Sequence, residues 1–573
     1  MSRINISNTE NFAELRQGNG YYVDKTDFLK EFLKDYQRPD HFRSPGAATL
    51  FTRPRRFGKT LFLSMLAEFF DISKDSAQLF AGLKVSSNEA LCKTWMNKYP
   101  VLFVSLKRVT AKNFEDALDK LGRLIGDLCL KHRILLKSKK LDREERKTLK
   151  ALRKKQASRN TLCEALLILS RAMYYHYEKP AILLIDEYDV PVAEAEENGY
   201  YDEMIDFFKE FFSNGLKTNE YLKMAVLTGC LRIVRESVFT GLNNLTCYGV
   251  SDEKFSDIFG FTQTEVDTLL TEAGLAQRKE EVKNWYDGYC FGDTQEVYCP
   301  WSIMRYIDDA QGKPNTRPKA YWLHTSANAL LQRLIDGSTS DLTDVIDTLL
   351  EGGSFVAKLN LCPTYGQLSA TPENIWSLLY QTGYLTRIPK GMPDKSLLPE
   401  SDLELLAIPN REIAWLFREE LEHWFSKQVT ASQRNGLCTA FWKPDAELFA
   451  KLLSETLLVS ISMYDYKEHF YHGMLAGIFI STAAQTFSNL ETGEGRSDIL
   501  VIDNRKAAVI EVKRTTRVQD LPALVEEGMQ QIAAKQYDTR VKAIPMVRTI
   551  LHWSIAFCKK TCLAKARIVR HEE

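Results

Sequence analysis

The sequence predicts a multidomain α/β protein, and three stretches carry the prediction. Near the N-terminus, an apolar run at 47–52 precedes a loop that ends in Gly-Lys-Thr and then a helix-forming segment. A second apolar run at 180–185 ends on two acids and suits a strand of a parallel sheet that is buried on both faces. Near the C-terminus, two runs of strand length flank a polar turn at 503–506. With 573 residues, of which 45% are hydrophobic, the chain can bury the cores of three or four domains.

The composition argues against several functional classes. The 75 Lys and Arg residues balance the 75 Asp and Glu residues, which argues against a basic coat over the whole protein but allows local basic patches. No apolar run reaches membrane-spanning length and no signal segment opens the chain, so we expect no membrane partner. The eleven cysteines form no C-x-x-C pair, and we expect reduced thiols in a cytoplasmic protein. Cys558 and Cys562 have the spacing to meet on a helix, but no matching Cys or His cluster supports zinc.

The loop at 53–60 is a candidate nucleotide-binding site. A phosphate-binding loop needs main-chain N–H groups around an anion at a helix N-terminus, a lysine for the β- and γ-phosphates and a hydroxyl for Mg²⁺. Gly58, Lys59 and Thr60 supply the second half of that motif between a strand and a helix. Arg53 stands where the motif has its first glycine, so the loop departs from the pattern there. The predicted nucleotide-binding residues of the loop are Arg56, Phe57, Gly58, Lys59 and Thr60.

The apolar run at 180–185 continues as Asp186-Glu187, the pattern of a Walker B strand. In such a strand Asp186 holds the Mg²⁺ shell together with Thr60, and Glu187 polarises the attacking water. A buried strand that ends in acids is by itself commoner without any nucleotide. Its order and spacing after the Gly-Lys-Thr loop nevertheless favour an NTP site.

A third strand is expected at 221–229, and its end bears on the same site. Thr228 would lie beside the γ-phosphate as a sensor. Arg232 or Arg235 would stabilise the charge of the transition state, either within the chain or from a neighbouring subunit of a homo-oligomer. Surface ion pairing is the alternative interpretation of either arginine.

The dense basic stretch at 131–155 predicts a helical hairpin. Its charge belongs to a solvated helical face or, as the alternative, to an arm that contacts DNA. From 251 onward we expect a small helical lid, in which Thr262 and Glu265 have the spacing of a capping box. The aromatic residues at 285–301 and 321–328 predict a packed subdomain core rather than a platform for stacking nucleic-acid bases.

The remaining segments complete the predicted organisation. Short strands and turns of a connector are expected at 373–408, and helices at 411–458. The expected fold is a P-loop NTPase parallel sheet with a helical lid, a helical and mixed connector and a C-terminal α/β domain. The predicted domains are 1–250, 251–372, 373–458 and 459–573.

The most informative stretch is the C-terminal hairpin. Asp498 opens its first strand, and Glu511 and Lys513 share one face of its second strand because strand side chains alternate. If the strands pair, the two carboxylates can hold Mg²⁺ around a phosphate, while the lysine orients a water or neutralises developing charge. An amphipathic hairpin with an ordinary salt bridge is the alternative. The flanks favour the first interpretation, since a helical pattern at 465–479 precedes the hairpin.

A second helix at 526–537 and a last strand at 542–547 or 550–557 would complete the order helix, hairpin, helix, strand. This arrangement resembles the PD-(D/E)xK nuclease superfamily, which implies a restriction-endonuclease-like fold for the C-terminal domain. The resemblance implies that Glu468 and the main-chain carbonyl of Val512 join the two hairpin carboxylates as metal ligands. It also implies that Gln531 orients the water or the scissile phosphate. Oxygen-only ligation favours Mg²⁺ or Mn²⁺ over zinc.

Six segments together resemble the AAA-ATPase-like family. They are 21–26, 53–60, 185–189, 228–229, 237–244 and 285–289. Proteins of this family usually end in a PD-(D/E)xK domain, as this chain does. The resemblance implies ATP binding and hydrolysis coupled to metal-dependent cleavage of nucleic acid, with DNA favoured over RNA. The alternative is an NTP-driven switch or assembly module whose nuclease-like domain binds nucleic acid or a partner without cutting, and the intact Asp, Glu and Lys of the hairpin argue for cleavage.

Overall fold

The computed structural model of the chain divides into two compact units. The first unit comprises Met1–Trp322 and Val356–Glu412, and the second comprises Leu323–Phe355 and Ile413–Glu573. The described residues are 4–37, 47–217, 219–232, 239, 244–313, 315–322, 345–346, 348–361, 371–388, 403–460, 468–480, 485–492 and 495–571. The division into four domains stays a prediction.

A parallel sheet forms the centre of the first unit. Its strands are β1 (Ala48–Thr52), β2 (Val101–Ser105), β3 (Ala181–Asp186), β4 (Leu222–Gly229) and β5 (Leu245–Tyr248). They lie in the order β2-β3-β4-β1-β5, and each neighbouring pair is parallel. Every residue of β1 and β3 is buried, as expected for a sheet covered on both faces. Because β4 lies between β1 and β3, the carboxyl ends of all three strands meet at one edge.

Helices surround this sheet. They are α1 (Phe12–Gln17), α2 (Phe28–Gln37), α3 (Lys59–Phe70), α4 (Ala77–Phe80), α5 (Glu89–Trp95), α6 (Phe114–Lys131), α7 (Arg143–Arg153), α8 (Arg159–Cys163), α9 (Ala165–Tyr177), α10 (Val190–Asn198) and α11 (Tyr201–Leu216). The helix α3 follows the Gly-Lys-Thr loop and packs on β3 and β4, and it is apolar on nearly all sides because it is buried. The helices α6 and α7 pack against each other, but α6 precedes the basic stretch at 131–155, for which the sequence predicted a helical hairpin, and α7 lies within it.

A small mixed subdomain follows the sheet. It contains β6 (Phe261–Thr262), β7 (Tyr289–Phe291), β8 (Thr294–Tyr298), α12 (Gln263–Glu272), α13 (Lys279–Tyr286) and α14 (Pro300–Ala310), and the strands lie in the order β6-β8-β7. This sheet adds to the helical lid that the sequence predicts. The predicted capping box of α12 is present, since Thr262 Oγ1 accepts the Glu265 N–H at 3.4 Å and Glu265 Oε2 accepts the Thr262 N–H at 2.9 Å. Tyr286, Tyr298 and Tyr306 share one buried core, against which Trp285 and Tyr321 pack, as predicted, while 323–328 lies outside the described residues.

The connector differs from its prediction. It contains α15 (Pro372–Thr382), β10 (Thr386–Arg387) and β11 (Leu403–Ala407), and its strands form a sheet with the earlier β9 (Ser354–Lys358) in the order β10-β11-β9. The short strands expected at 373–408 are present, but the helix α15 was not predicted there. Pro372 occupies the first position of this helix, where a main-chain N–H would have no partner within the helix, so its missing N–H costs nothing. Gly383 ends the helix at a φ of +89°. Leu379 and Tyr380 are buried, which stabilises the helix by packing.

A mixed sheet forms the centre of the second unit. Its strands are β12 (Gln485–Thr492), β13 (Gly495–Asp503), β14 (Lys506–Arg514), β15 (Thr549–Cys558) and β16 (Thr561–His571), and they lie in numerical order. The pair β14 and β15 is parallel and the other pairs are antiparallel. Asn504 and Arg505 form the turn of the predicted hairpin, and Asp503 pairs with Lys506. The fold class predicted for both ends of the chain is confirmed.

The helices from residue 411 onward accompany this sheet. They are α16 (Arg411–Gln428), α17 (Ala431–Trp442), α18 (Ala446–Ser460), α19 (Glu468–Ile480), α20 (Leu521–Ala534) and α21 (Thr539–Lys542). The helix α20 connects β14 to its parallel neighbour β15, and α19 packs on β12, β13 and β14. None of the helices in the described residues has both the length and the apolar character required to cross a membrane.

Of the two positions predicted for the last strand, 550–557 is confirmed by β15, and 542–547 forms no strand. The expectation that this strand is the last one is wrong, because β16 follows it. Cys558 and Cys562 do not meet on a helix, because they lie in β15 and β16 on either side of a tight turn, where Phe557 pairs with Cys562. A spacing of four residues fits one helical turn and the end of a hairpin equally well. The pairing of β15 with β14 is what places this segment in a strand.

Candidate functional site

The Gly-Lys-Thr loop lies at the N-terminus of the 12-residue helix α3. Gly58 has a φ of +86°, a left-handed conformation that glycine adopts without strain, and it is exposed. The side chain of Lys59 is buried, and its Nζ donates hydrogen bonds to the main-chain oxygens of Arg53 at 2.9 Å and Pro54 at 2.8 Å. The loop therefore curls around the ammonium of Lys59.

Two hydroxyls converge on the acid at the end of β3. Thr60 Oγ1 donates to Asp186 Oδ2 at 2.8 Å, and Thr228 Oγ1 donates to Asp186 Oδ1 at 2.7 Å. Asp186 is fully buried, and this burial raises its pKa while the two hydroxyls and the Lys59 charge oppose the rise. The structure thus brings together three of the predicted residues from the ends of β3 and β4 and the start of α3.

Glu187 follows directly and has a φ of +52°, which is uncommon for a residue with a side chain. Burial and the neighbouring Asp186 carboxylate raise its pKa, and the charges of Lys107 and Lys59 act in the opposite direction. Such a backbone conformation at the end of a buried strand is typical of a functional position. Lys107, just beyond the end of β2, was not singled out in the sequence analysis.

The arginine at the position of the first loop glycine has a structural role. Arg53 is fully buried, and its guanidinium donates to the main-chain oxygens of Thr52 at 2.9 Å, Tyr248 at 3.1 Å and Phe255 at 2.9 Å. Its guanidinium also lies 5.5 Å from the ring centre of Phe259. Burial lowers the pKa of Arg53 to about 10. Arg53 therefore holds the base of the loop to the end of β5 and the segment after it.

Two other predicted loop residues use their side chains elsewhere. Arg56 donates to the main-chain oxygen of Tyr321, and its guanidinium lies 4.9 Å from the ring centre of Trp301. Phe57 is buried, with its ring edge-on to Tyr289 at 5.1 Å between centroids. The side chains of Arg56 and Phe57 thus contact residues that follow the parallel sheet in the chain, and the nucleotide-binding role of both residues stays a prediction.

The segment after β4 contacts a residue that was not singled out in the sequence analysis. Asp189 Oδ2 accepts the main-chain N–H groups of Cys230 at 2.8 Å and Leu231 at 3.0 Å, and so ties this segment to the end of β3. Its place three residues after Asp186 was the available signal. Arg232 is half-buried, and its main-chain N–H donates to Gln381 Oε1 at 3.4 Å. Arg235 lies outside the described residues, and the role of either arginine stays a prediction.

In the second unit, the strands β13 and β14 of the C-terminal hairpin separate beyond Ile499 and Ile510, and we call this point the fork. The β13–β14 ladder ends at Ile499 and Ile510, whereas β13 continues beyond it paired with β12 only. Asp498 is the first residue past the end of the ladder, and its Oδ2 accepts the main-chain N–H of Val512 at 2.7 Å. In the register of the ladder, Asp498 lies opposite Glu511. The fork therefore places Asp498 across from Glu511, and a shared metal site of the two carboxylates stays a prediction.

The side chain of Lys513 contacts Glu511 at the fork. Lys513 Nζ donates to Glu511 Oε1 at 2.9 Å and to Gln531 Oε1 at 2.7 Å, and Gln531 Nε2 donates to the hydroxyl of Tyr537 at 3.2 Å. Glu511 is buried, and Lys513 is 16% exposed at its side chain. Tyr537 lies beyond the end of α20 rather than within the predicted helix. The chain of contacts places Glu511, Lys513 and Gln531 in one site.

Close packing of α20 on the sheet allows this contact. A Cβ atom at Gly528 would lie 2.2 Å from Ser554 Oγ and 3.5 Å from Glu511 Cγ, so a larger residue would require Ser554 or the helix to shift. Gln531 lies three residues further and hence on the same side of the helix. Glycine at 528 therefore lets Gln531 reach Lys513.

A histidine that was not singled out in the sequence analysis supports the fork. His472 of α19 is buried, and its Nε2 donates to the main-chain oxygen of Asp498 at 2.6 Å. A carbonyl oxygen only accepts, so the hydrogen of the ring lies on Nε2. Burial lowers the pKa of His472, which favours the neutral ring. The available sequence signal for His472 was its spacing of four residues from Glu468, the predicted metal ligand that begins α19. The side chain of Glu468 itself lies outside the described part of the structure.

The donor set of the fork fits a hard divalent cation. Two carboxylates and a main-chain carbonyl are ligands that Mg²⁺ and Mn²⁺ accept. Within the described side chains, no group of three or more His, Cys, Asp or Glu residues could hold a metal ion. The fit therefore depends on Asp498, Glu511 and the carbonyl of Val512.

Comparisons with known proteins find matches for both ends of the chain. Residues 6–239 match the family described as "Predicted AAA-ATPase", and residues 466–567 match the PD-(D/E)XK nuclease superfamily. Over 551 residues, which cover 93% of each chain, the protein is 24% identical to one from Azotobacter chroococcum mcd 1, described as an uncharacterized protein in the vnfD 5′ region. The chain is therefore similar to the AAA-ATPase-like family over residues 6–239 and to the PD-(D/E)xK nuclease superfamily over residues 466–567, which is the domain arrangement that the sequence predicts.

Proposed function

We propose that the protein binds and hydrolyses ATP in its first unit and cleaves nucleic-acid phosphodiester bonds in its second unit. The hydrogen bond between Asp498 and the main chain of Val512, which lies between the paired Glu511 and Lys513 in β14, carries the nuclease part of the proposal. A hairpin with a merely structural salt bridge would not need a second carboxylate at the same point. We further propose that the substrate is DNA rather than RNA and that the protein works as a homo-oligomer.

The nucleotide site supports the ATPase part. On binding ATP, Lys59 would exchange the carbonyls of Arg53 and Pro54 for phosphate oxygens, which form stronger charge-assisted hydrogen bonds. The N–H groups at the start of α3 would add their partial positive charge. Thr60 and Asp186 would hold Mg²⁺, which when bound neutralises charge on the phosphates. Glu187 would orient the attacking water and accept its proton.

The fork supports the nuclease part. Asp498 and Glu511 would hold Mg²⁺ or Mn²⁺, which when bound neutralises charge on the scissile phosphate. The Val512 N–H and His472 orient Asp498 through its carboxylate and its carbonyl respectively. Lys513 would orient the attacking water, and Gln531 would position it or the phosphate.

A cleavage assay tests the nuclease part. Purified protein is incubated with linear DNA, circular DNA and RNA, with and without ATP, in Mg²⁺ or Mn²⁺. We expect wild-type protein to cut DNA and Asp498→Asn to lose at least about a hundredfold of the rate, since it loses a charge that stabilises the transition state. The matched control is Asp503→Asn at the other end of the same strand, which should cut like the wild type.

If the wild type cuts no nucleic acid with either metal, the cleavage proposal is wrong. The second candidate would then apply, in which ATP drives a switch or assembly step and the nuclease-like domain only binds. Equal loss of activity in both Asp variants would indicate a general effect on the fold and would also argue against a specific role of Asp498.

A further inference from the structure

The segment 131–159, which runs from the end of α6 to the start of α8, concentrates positive charge in an otherwise neutral chain. It contains 13 Lys and Arg residues but only 3 Asp and Glu residues, against 75 of each class in the whole chain. Solvated helical surfaces usually intersperse the two signs. We call this segment, 131–159, the basic hairpin, and its positive charges are not interspersed in this way.

The fold directs this charge outward. The helix α7 buries Leu149 and Leu152, which pack it onto the rest of the unit. Arg143, Lys147, Lys150 and Lys154 follow one another at steps of four, three and four residues, and all four are exposed. Residues at these spacings share one side of a helix. They form a basic stripe about 16 Å long at a rise of 1.5 Å per residue.

The acids of the hairpin do not neutralise this stripe. Asp142 and Glu145 form the capping box of α7, and Glu144 lies 3.5 Å from Lys147 in an exposed pair that contributes little. All three acids therefore gather at the start of the helix. Among the described residues, no ion pair is made by Arg133, Lys137, Lys139, Arg143, Lys150, Arg153, Lys154 or Lys155.

We propose that the exposed face of the basic hairpin binds the phosphate backbone of nucleic acid without reading its sequence. Lysine side chains are flexible point charges that suit phosphates, and contacts to phosphates carry no base information. The proposal rests on the proposed function in one respect, because the nuclease-like domain makes nucleic acid the relevant polyanion. The stripe on α7 contains no large apolar side chain, which a helix lying in a membrane surface would need.

The test compares two triple variants with the same change of charge. K147E/K150E/K154E reverses the stripe, and the control K93E/K98E/K209E reverses three exposed lysines elsewhere in the first unit. Binding of a fluorescent DNA duplex is measured by anisotropy in EDTA over a series of salt concentrations. Because each phosphate contact contributes about 0.9 to the slope of log K against log salt, the stripe variant should lose about 3 from this slope. Its affinity at about 0.1 M salt should fall at least tenfold, and the control should change less than twofold.

Two further arms keep the result decisive. K147Q/K150Q/K154Q removes the charges without adding repulsion and should lose the same slope, and the melting temperature of each variant reports whether it folds. Equal affinity of the stripe variant and the control would overturn the proposal. Binding to phosphatidylserine vesicles but not to DNA would overturn it in favour of a membrane surface. Because EDTA removes the metal, the result does not depend on cleavage, so failure of the nuclease proposal is seen separately in the Asp498→Asn assay.

Discussion

The main-chain N–H of Val512 donates a hydrogen bond to Oδ2 of Asp498 at 2.7 Å, just beyond the point where the ladder between their strands ends. Val512 lies between Glu511 and Lys513 in the chain, so this one bond ties the acid of the first strand to the Glu-x-Lys segment of the second. It orients the Asp498 carboxylate at the mouth of the fork. The predictions for the second unit start from this contact.

The first prediction separates metal binding from water activation. Asp498→Ala should lose both Mn²⁺ binding and DNA cleavage, whereas Lys513→Ala should keep Mn²⁺ binding and lose about a hundredfold or more of the cleavage rate. Calorimetric titration with Mn²⁺ and a cleavage assay measure the two effects. ATP hydrolysis should be unchanged in both variants. Cleavage at the wild-type rate by Lys513→Ala would exclude the proposed role of the lysine.

The second prediction concerns the nucleotide loop. Lys59→Ala removes the charge-assisted contact to the phosphates and should weaken ATP binding by about 10-fold to 100-fold. Glu187→Gln keeps the pocket and should bind ATP normally but hydrolyse it at least about a hundredfold more slowly. Equilibrium binding of a fluorescent ATP analogue and phosphate release provide the measurements. The control is Lys93→Ala, an exposed lysine outside the loop, and unchanged ATP affinity in a folded Lys59→Ala protein would disprove the loop assignment.

The third prediction is the pH dependence of ATP hydrolysis. Burial and Asp186 raise the pKa of Glu187 above its ordinary value of 4.5, and a base must be deprotonated to accept a proton. The rate should therefore fall with decreasing pH at a higher pH than an ordinary glutamate would cause. A profile of kcat against pH measures this limb. The residual activity of Glu187→Gln should not show this decrease at low pH. An identical decrease in that variant would assign the titration to another group.

The fourth prediction is communication between ATP and nucleic acid. ATP can change DNA binding only if it binds two states of the protein with different affinity. We expect DNA affinity to differ by about fivefold or more between nucleotide-free, ADP-bound and ATP-trapped Glu187→Gln protein. Anisotropy with labelled DNA in EDTA-free, Ca²⁺-containing buffer measures binding. Equal affinities and equal cleavage rates in all three states would show that the two activities are independent.

The fifth prediction concerns stability. Buried Glu412 accepts hydrogen bonds from Ser302 Oγ at 2.7 Å and from the N–H groups of Tyr321 at 2.6 Å and Trp322 at 3.0 Å. Burial raises the pKa of Glu412 from 4.5 to about 7, so its contribution to stability is present below pH 4.5 and is lost as the pH rises through about 7. Glu412→Gln abolishes this titration.

The Glu412→Gln variant should therefore lose less stability than the wild type between about pH 5 and about pH 8. Urea unfolding at both pH values measures the difference, and Glu203→Gln on the exposed side of α11 serves as the control. A pH dependence equal to that of the wild type would show that Glu412 does not titrate in this range.

The sequence by itself determined the chemistry that lies within single elements. Glu511 and Lys513 share a face because strand side chains alternate, and the contact between them at 2.9 Å follows from that alternation. The Gly-Lys-Thr segment between an apolar run and a helix predicted the loop at the start of α3, and the Thr262 capping box was equally local. These relationships span a few residues, where backbone geometry leaves few alternatives.

Only the tertiary structure decided which distant residues meet. The strand order of the first unit brings Thr228 to Asp186, and the fork of the second unit brings Asp498 to Val512. The same holds for His472 and for the pairing that puts Cys558 in a strand. Such contacts depend on which strands become neighbours and in what register, and a one-residue shift of register would turn every side chain of a strand to the opposite face. Packing of the whole sheet selects the register, so no local pattern reveals it.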